Sequence, residues 1–278
     1  MLAWIKRTIF RQGDSPKTVA VLRMSGPIAA ASRRSQTLSI EGLAEPLAKA
    51  FKPKSHAAVF LVLNSPGGSP VQSSLIGKRI RQLAEEHNKP VFVVVEDVAA
   101  SGGYWIAAAA DEIWADPASI IGSIGVVSAG FGFSDLIERY GVDRRVYSTG
   151  KNKVRLDPFQ AEKDDDKTWL LDLQSKMHRI FKDHVLACRG EKLKSDEETL
   201  MNGNVWLAQE ALDYGLIDGL GDLNSVAKQK FGDTVKFKKI KTGGGGILSM
   251  VTGQLQPNLP KQAIESLEQE SLWARAGL

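Results

Sequence analysis

Residues 90–110 read PVFVVVEDVAASGGYWIAAAA, a stretch that changes from β-strand to α-helix character at a single serine. The valine run is typical of a buried strand, and the alanine-rich run after the glycine pair is typical of a helix. Ser101 is therefore either the N-cap of a helix over residues 102–110 or a nucleophile at the joint. The stretch on its own favours the cap.

Strands and helices alternate upstream of this stretch. Strand-like runs occupy residues 18–26 and 57–64, and each is followed by a run with helical spacing, over residues 40–52 and 70–88. Elements of this length in this order predict an α/β fold with a mainly parallel sheet and flanking helices.

The alternation continues downstream to about residue 240. We expect an extended run over residues 119–130, a strand over residues 143–149 and a long helical stretch over residues 159–189. A helix that ends in glycines, a further helix and a last strand complete the pattern.

Composition changes divide the chain into three parts. Residues 1–17 form a basic amphipathic segment, residues 18–242 form one folded domain, and residues 243–278 form a linker and tail. The linker begins with four consecutive glycines, which predict flexibility, and the tail after it is polar and weakly patterned.

The bulk composition excludes several classes of protein. A net charge of +4 without an aromatic-interleaved basic stripe argues against nucleic acid as a partner. The single cysteine, Cys188, excludes an intramolecular disulfide, and four scattered histidines give no metal-binding spacing. We therefore expect no metal and no cofactor.

The N-terminal residues 1–12 combine cations with an apolar face. The cations are Lys6, Arg7 and Arg11, and the apolar face comprises Leu2, Ile5 and Ile9. This pattern suits either a helix on an anionic membrane surface, whose binding would weaken as salt rises, or a locally packed terminus. Without a secretory signal or a spanning run, we expect a cytoplasmic location, with peripheral contact at the inner face of the membrane.

A glycine-rich turn, NSPGGSP over residues 64–70, follows one of the buried strands. Ligands gather at the carboxyl ends of strands in open parallel sheets. Gly67 and Gly68 can aim backbone N–H groups outward, as in an oxyanion hole. A phosphate cradle is the alternative, but the turn matches neither common phosphate-binding motif, and such a turn alone is more often a plain loop.

A nucleophilic serine needs a base. No histidine lies in a comparable turn, but a lysine can serve when burial keeps its amine neutral. The glycine-punctuated stretch STGKNKVRLDPF, residues 148–159, contains Lys151 and Lys153. Taken alone, both are ordinary solvated loop lysines.

Five motifs occur in a fixed order along the chain. They are LNSPGGSP at 63–70, ASGGYWIA at 100–107, IIGSIGV at 120–126, GKNK followed by DPF at 150–159, and ALDYGLIDGLG at 211–221. This set resembles the signal peptide peptidase A type of serine peptidases, family S49, from about Thr18 to Ile240. The resemblance implies the crotonase-like fold that caseinolytic protease shares, in the short single-domain form.

The resemblance also assigns roles to individual residues. It implies that Ser101 is the nucleophile, that Lys153, counted from Gly150, is the general base, and that Ser123 orients the lysine. It further implies oxyanion donors at the first glycine turn, Gly68 with Gly67. The N–H of Gly102 is the second donor expected from the turn itself.

A serine endopeptidase with a Ser-Lys dyad is therefore the expected function. The resemblance implies peptide substrates, such as signal-peptide remnants or membrane-associated segments, and a homo-oligomeric ring or dome. The alternatives are a crotonase-type acyl-CoA enzyme and a catalytically silent membrane-scaffold protein of the same fold. An acyl-CoA enzyme would typically need carboxylates in the turns, where this sequence has none.

Overall fold

The computed structural model of the protein describes residues 16–31 and 37–241. The N-terminal segment and the C-terminal tail lie outside these described residues, so the expected membrane contact and location stay predictions. Among the helices that are described, none is both long enough and apolar enough to span a bilayer.

Strands and helices alternate as the sequence predicts. The strands are β1 (Thr18–Ser25), β2 (His56–Ser65), β3 (Val91–Ala100), β4 (Glu112–Ala115), β5 (Ile120–Gly122), β6 (Val205–Leu207), β7 (Gly219–Leu220) and β8 (Lys236–Ile240). The helices are α1 (Ile40–Phe51), α2 (Pro70–His87), α3 (Gly102–Ala108), α4 (Ser134–Arg139), α5 (Asp164–Arg189), α6 (Glu197–Leu200), α7 (Ala208–Asp213) and α8 (Leu223–Phe231).

The strands form one sheet in the order β6-β5-β3-β2-β1-β8, and β4 joins β3 to β7. Every pairing is parallel except that of β5 with β6. Helices cover both faces, which explains why β2 and β3 are continuous apolar runs. The predicted α/β class, with its mainly parallel sheet and flanking helices, is confirmed.

Three neighbouring strands end where the predicted site residues begin. Ser65 on β2 pairs with Ala99 on β3, and Ala100 on β3 pairs with Gly122 on β5. Because these strands are parallel, their carboxyl ends meet at one edge of the sheet. The first glycine turn, Ser101 and the residue after Gly122 are therefore brought together by the register alone.

The strand predicted over residues 143–149 is wrong. These residues are exposed and have no regular secondary structure. They lie in a long excursion, residues 126–163, that leaves the sheet after β5 and contains only the short helix α4. An alternating pattern forms a strand only beside another strand, and no described strand lies next to this segment.

A buried ion pair anchors the end of α5. The Arg189 side chain is 1% exposed, and its guanidinium donates to Asp218 at 2.6 Å and to the Gly215 carbonyl at 2.7 Å. The Tyr104 hydroxyl donates to the neighbouring Leu216 carbonyl at 2.8 Å. The ion pair therefore holds the segment before β7 against α5, and the Tyr104 bond holds it against α3, the helix that follows Ser101.

Replacing this carboxylate with an amide, Asp218→Asn, should lower the free energy of unfolding by about 3–5 kcal/mol, because it leaves a buried guanidinium without a counter-charge. Denaturant unfolding at neutral pH measures this loss. The exposed ion pair of Asp143 with Arg145 supplies the control, since Asp143→Asn should change stability little. Equal stability of Asp218→Asn and wild type would contradict the expectation.

The same pair predicts a pH dependence. Burial alone would raise the pKa of Asp218, but hydrogen bonds from Arg189 and Lys192 outweigh it and lower that pKa below its ordinary 3.8. A depressed folded-state pKa contributes stability above the ordinary value, and this stability is lost as pH falls through the folded pKa. The acid-induced loss below about pH 4 should therefore be smaller in Asp218→Asn.

Candidate active site

Ser101 occupies the N-cap position of α3 without acting as a cap. Its side chain makes no capping hydrogen bond, and its backbone has φ 51° and ψ −121°, a combination that non-glycine residues rarely adopt. Its N–H donates to the Gly122 carbonyl at 2.8 Å, and its carbonyl accepts from Trp105 N–H at 3.0 Å. Such a conformation costs about 1–3 kcal/mol and persists where the surroundings enforce it, commonly at functional sites.

A cavity of about 670 Å³ opens beside Ser101. It is lined by Pro66, Gly68, Pro70, Ala100, Ser101, Ser123, Gly125, Val126, Val127, Met177, His178, Asn202 and Gly203. Ser101, Gly68 and Ser123, three of the residues predicted for the site, thus face one space. Within the described part of the chain, neither a carboxylate nor a lysine belongs to this lining.

Position 68 requires a glycine for two reasons, its backbone conformation and the closeness of Ile28. Its φ is +139°, and a Cβ added to it would lie 2.1 Å from the Ile28 carbonyl oxygen. The peptide groups on either side bind Ile28, since Ile28 N–H donates to the Gly67 carbonyl and Ser69 N–H donates to the Ile28 carbonyl, both at 2.8 Å. A larger residue would break this short bridge.

Gly68, which lines the cavity, and Gly102 lie close together. A Cβ on Gly102 would be 3.4 Å from the Gly68 nitrogen, which places the two turns in direct contact. No hydrogen bond between described residues uses either N–H, whereas the Gly67 N–H donates to Ser65 Oγ at 3.2 Å. Of the three glycines predicted as oxyanion donors, Gly68 and Gly102 thus have free amides, and Gly67 shapes the turn.

Ser123 follows β5 in a second strained turn. Its φ is 52°, and its N–H donates to the Asn204 carbonyl at 2.7 Å. The preceding carbonyl, that of Gly122, accepts the Ser101 N–H described above. The two serines are therefore linked through one peptide unit and open into the same cavity.

Lys153 is not brought to this cavity within the chain. It lies exposed in a turn of residues 126–163, where its N–H donates to the Gly150 carbonyl at 3.1 Å, and Lys151 is exposed in the same turn. The structure thus assembles the predicted nucleophile, oxyanion amides and second serine, and leaves the predicted base outside.

We call the excursion that carries Lys153 the arm, residues 126–163. The arm is held together by its own contacts, including the Phe133 N–H, which donates to the Pro158 carbonyl at 2.6 Å. Its outer surface is strongly apolar, with Tyr147 92% and Phe131 81% exposed. Exposed apolar area of this extent on one segment marks an interaction surface.

Helix α5 also contributes to the cavity, which was not predicted from the sequence. Met177 and His178 line it, and the His178 Nε2 lies 3.0 Å from the Ile124 carbonyl oxygen. The sequence does contain a signal, because His178 precedes the buried Phe181 and Val185 at helical spacing and so shares their inward face.

Comparison with known proteins gives a consistent result. The family model described as Peptidase family S49 matches residues 84–234. The chain is 33% identical to the chloroplastic serine protease SPPA of Arabidopsis thaliana, over 80% of this chain and 32% of that protein. It is 26% identical to a putative signal peptide peptidase SppA of Enterococcus faecium, over 86% of this chain and 72% of that protein.

A closer sequence match carries a different name. The chain is 47% identical to a protein of Brucella abortus named Na(+)/H(+) antiporter NhaA, and the match covers 99% of this chain. It covers only 39% of that protein, so the chain corresponds to a minor part of its length.

Proposed function

The chain belongs to peptidase family S49, a family of serine-type peptidases, and we propose that it hydrolyses peptide bonds with Ser101 as nucleophile and Lys153 as general base. One observation carries the assignment of Ser101. Ser101 is held at positive φ without a capping bond, lines a cavity and lies beside the free amides of Gly68 and Gly102. A plain N-cap would need none of these features.

The proposed reaction proceeds through an acyl-enzyme. The Lys153 amine accepts the Ser101 hydroxyl proton as Ser101 Oγ bonds to the substrate carbonyl carbon. The oxyanion is stabilised by the N–H groups of Gly68 and Gly102. The C–N bond then breaks as the amine leaves with the proton from Lys153, and water activated by Lys153 releases the acid by the same steps.

The position of Lys153 supports a homo-oligomer in which a second copy supplies the base. In one chain the lysine lies on the exposed arm, and the Ser101 cavity has no lysine in its lining. Docking the arm of one copy at the cavity of the next would cover its exposed apolar side chains and remove water from the amine, which favours the neutral form. A head-to-tail contact of this kind forms a ring when its rotation closes.

The two alternative functions have weaker support. A crotonase-type acyl-CoA enzyme with carboxylate acid and base is disfavoured, because no carboxylate of the described residues lines the cavity. A silent membrane scaffold would have no reason to retain a strained Ser101 between two free amides.

The cavity supports apolar peptide segments as substrates. Its walls include Val126, Val127, Met177 and two prolines, which suit an apolar side chain next to the scissile bond. Signal-peptide remnants and membrane-associated segments have this character. The name of the Enterococcus relative is consistent with such substrates.

Labelling with a fluorophosphonate tests the proposed function. The probe should attach covalently to Ser101, as mass spectrometry of the labelled peptide would show, and Ser101→Ala should prevent labelling. Ser119 serves as the matched control, because this buried serine already donates to backbone carbonyls and Ser119→Ala should leave labelling intact. A wild-type chain that stays unlabelled under conditions that favour oligomers would contradict the proposal.

A further inference from the structure

The turn that carries Ser123 is connected to three different parts of the molecule. Its Gly122 carbonyl accepts the N–H of Ser101 at 2.8 Å, and the Ser123 N–H donates to the Asn204 carbonyl at 2.7 Å. The third connection comes from a side chain, the His178 ring on α5, whose Nε2 lies 3.0 Å from the Ile124 carbonyl oxygen. Two of the three connections are between backbone groups, so only the third can be removed by substitution of a side chain.

The geometry fixes the tautomer of His178. A carbonyl oxygen only accepts hydrogen bonds, so the Nε2 of His178 must carry a proton and donate it. Protonation of Nδ1 would leave this donor in place, and the connection therefore does not depend on pH. The ring is half-buried and lines the Ser101 cavity.

The turn needs external connections because its backbone is strained. Ser123 has φ 52°, which is uncommon for a non-glycine residue, and it follows Gly122 at φ +112°, a value that glycine adopts freely. Such a conformation relaxes unless its surroundings enforce it. Relaxation at Ile124 would shift Ser123 and also the Gly122 carbonyl, which holds the amide of the nucleophile.

We propose that His178 is a positioning residue for the Ser101 reaction, acting through its Nε2–H bond to the Ile124 carbonyl. The bond fixes the strained turn and thereby the placement of Ser123 and Ser101. This inference rests on the proposed peptidase function. It assigns no proton transfer to the histidine.

Three substitutions at this position separate positioning from other roles. His178→Gln keeps an N–H donor at nearly the place of Nε2, His178→Asn offers one only at the place of Nδ1, and His178→Leu offers none. Misplacement of reacting groups by a fraction of an ångström to 1 Å lowers turnover by up to about a hundredfold. We expect kcat to fall about ten- to a hundredfold in the Asn and Leu variants, with KM changed less than about twofold, and to recover to within about threefold in His178→Gln.

A matched control lies on the same helix. His184 makes a bond of the same kind, from Nε2 to the Trp105 carbonyl at 2.9 Å, but does not line the cavity. His184→Leu therefore reports the effect of losing a histidine-to-carbonyl bond of α5 on folding. Thermal unfolding of all variants and the rate of fluorophosphonate labelling of Ser101 accompany the kinetics.

Each outcome supports or overturns either the proposed function or the positioning role of His178. An inactive, unlabelled wild type would overturn the proposed function itself. With wild type active, normal kcat in both His178→Leu and His178→Asn would overturn the positioning role, as would a raised KM at unchanged kcat. Activity of His178→Gln as low as that of Ser101→Ala would overturn it in favour of the ring as a base. If His178→Leu does not fold, the kcat of His178→Asn compared with that of His178→Gln tests the positioning role on its own.

Discussion

Ser101→Ala, Lys153→Ala and the double variant are expected to show the same residual peptide hydrolysis, about a thousandfold or more below wild type. Residues that act as one unit are strongly non-additive, because each is useless without the other. The oxyanion amides of Gly68 and Gly102 remain in all three variants and account for what activity is left. Steady-state kinetics on one peptide substrate, with thermal unfolding to confirm folding, give the comparison.

The control for this prediction is two residues away. Lys151 shares the exposed turn with Lys153, so Lys151→Ala should keep near-normal turnover. If Lys151→Ala is inactive and Lys153→Ala is not, the assignment of the base is wrong. A double variant that is far less active than either single variant would show that the two residues act independently.

Mixing two inactive variants is expected to restore activity. When a site takes Ser101 from one copy and Lys153 from the next, random co-assembly of Ser101→Ala with Lys153→Ala chains leaves about a quarter of the sites intact. Turnover should then rise from background to about a quarter of wild type, in the same assay on co-expressed or remixed chains.

The matched control is a mixture of Ser101→Ala chains with the double variant, which contains no intact nucleophile and should stay inactive. No recovery in the first mixture would show that both residues act within one chain, with the arm moving towards the cavity. Recovery in both mixtures would show that Ser101 is not the nucleophile.

The sequence predicts well what depends on local pattern and register. The valine run before Ser101 indicates β3, and the glycine pairs indicate where two neighbouring strands end, so parallel pairing brings Gly68 near Gly102. These features follow from residues close to one another along the chain or fixed by strand register.

What the sequence did not predict depends on long-range packing. Residues 143–149 have strand-like alternation, but no described strand lies beside them. The absence of a pairing partner follows from the path of the arm, which leaves the sheet after β5. His178 reaches the Ser101 cavity because α5 packs on α3 through the stacking of Phe181 on Trp105, at 4.8 Å between centroids. Within one chain Lys153 lies exposed and outside the lining of the Ser101 cavity, and the role of each residue stays a prediction.

The positive φ of Ser101 places this position under two opposed selective pressures. Any L-residue here, alanine included, inherits the backbone strain, and only glycine would relieve it. Under selection for folding alone, a single codon change from serine to glycine at position 101 would therefore relieve the strain. It would place a third glycine before the pair at 102–103 and remove the proposed nucleophile. Under the proposed role of Ser101, a lineage that keeps a hydroxyl at 101 is one in which loss of turnover has been the heavier penalty, so the residue at this position would distinguish active from inactive proteins of this fold.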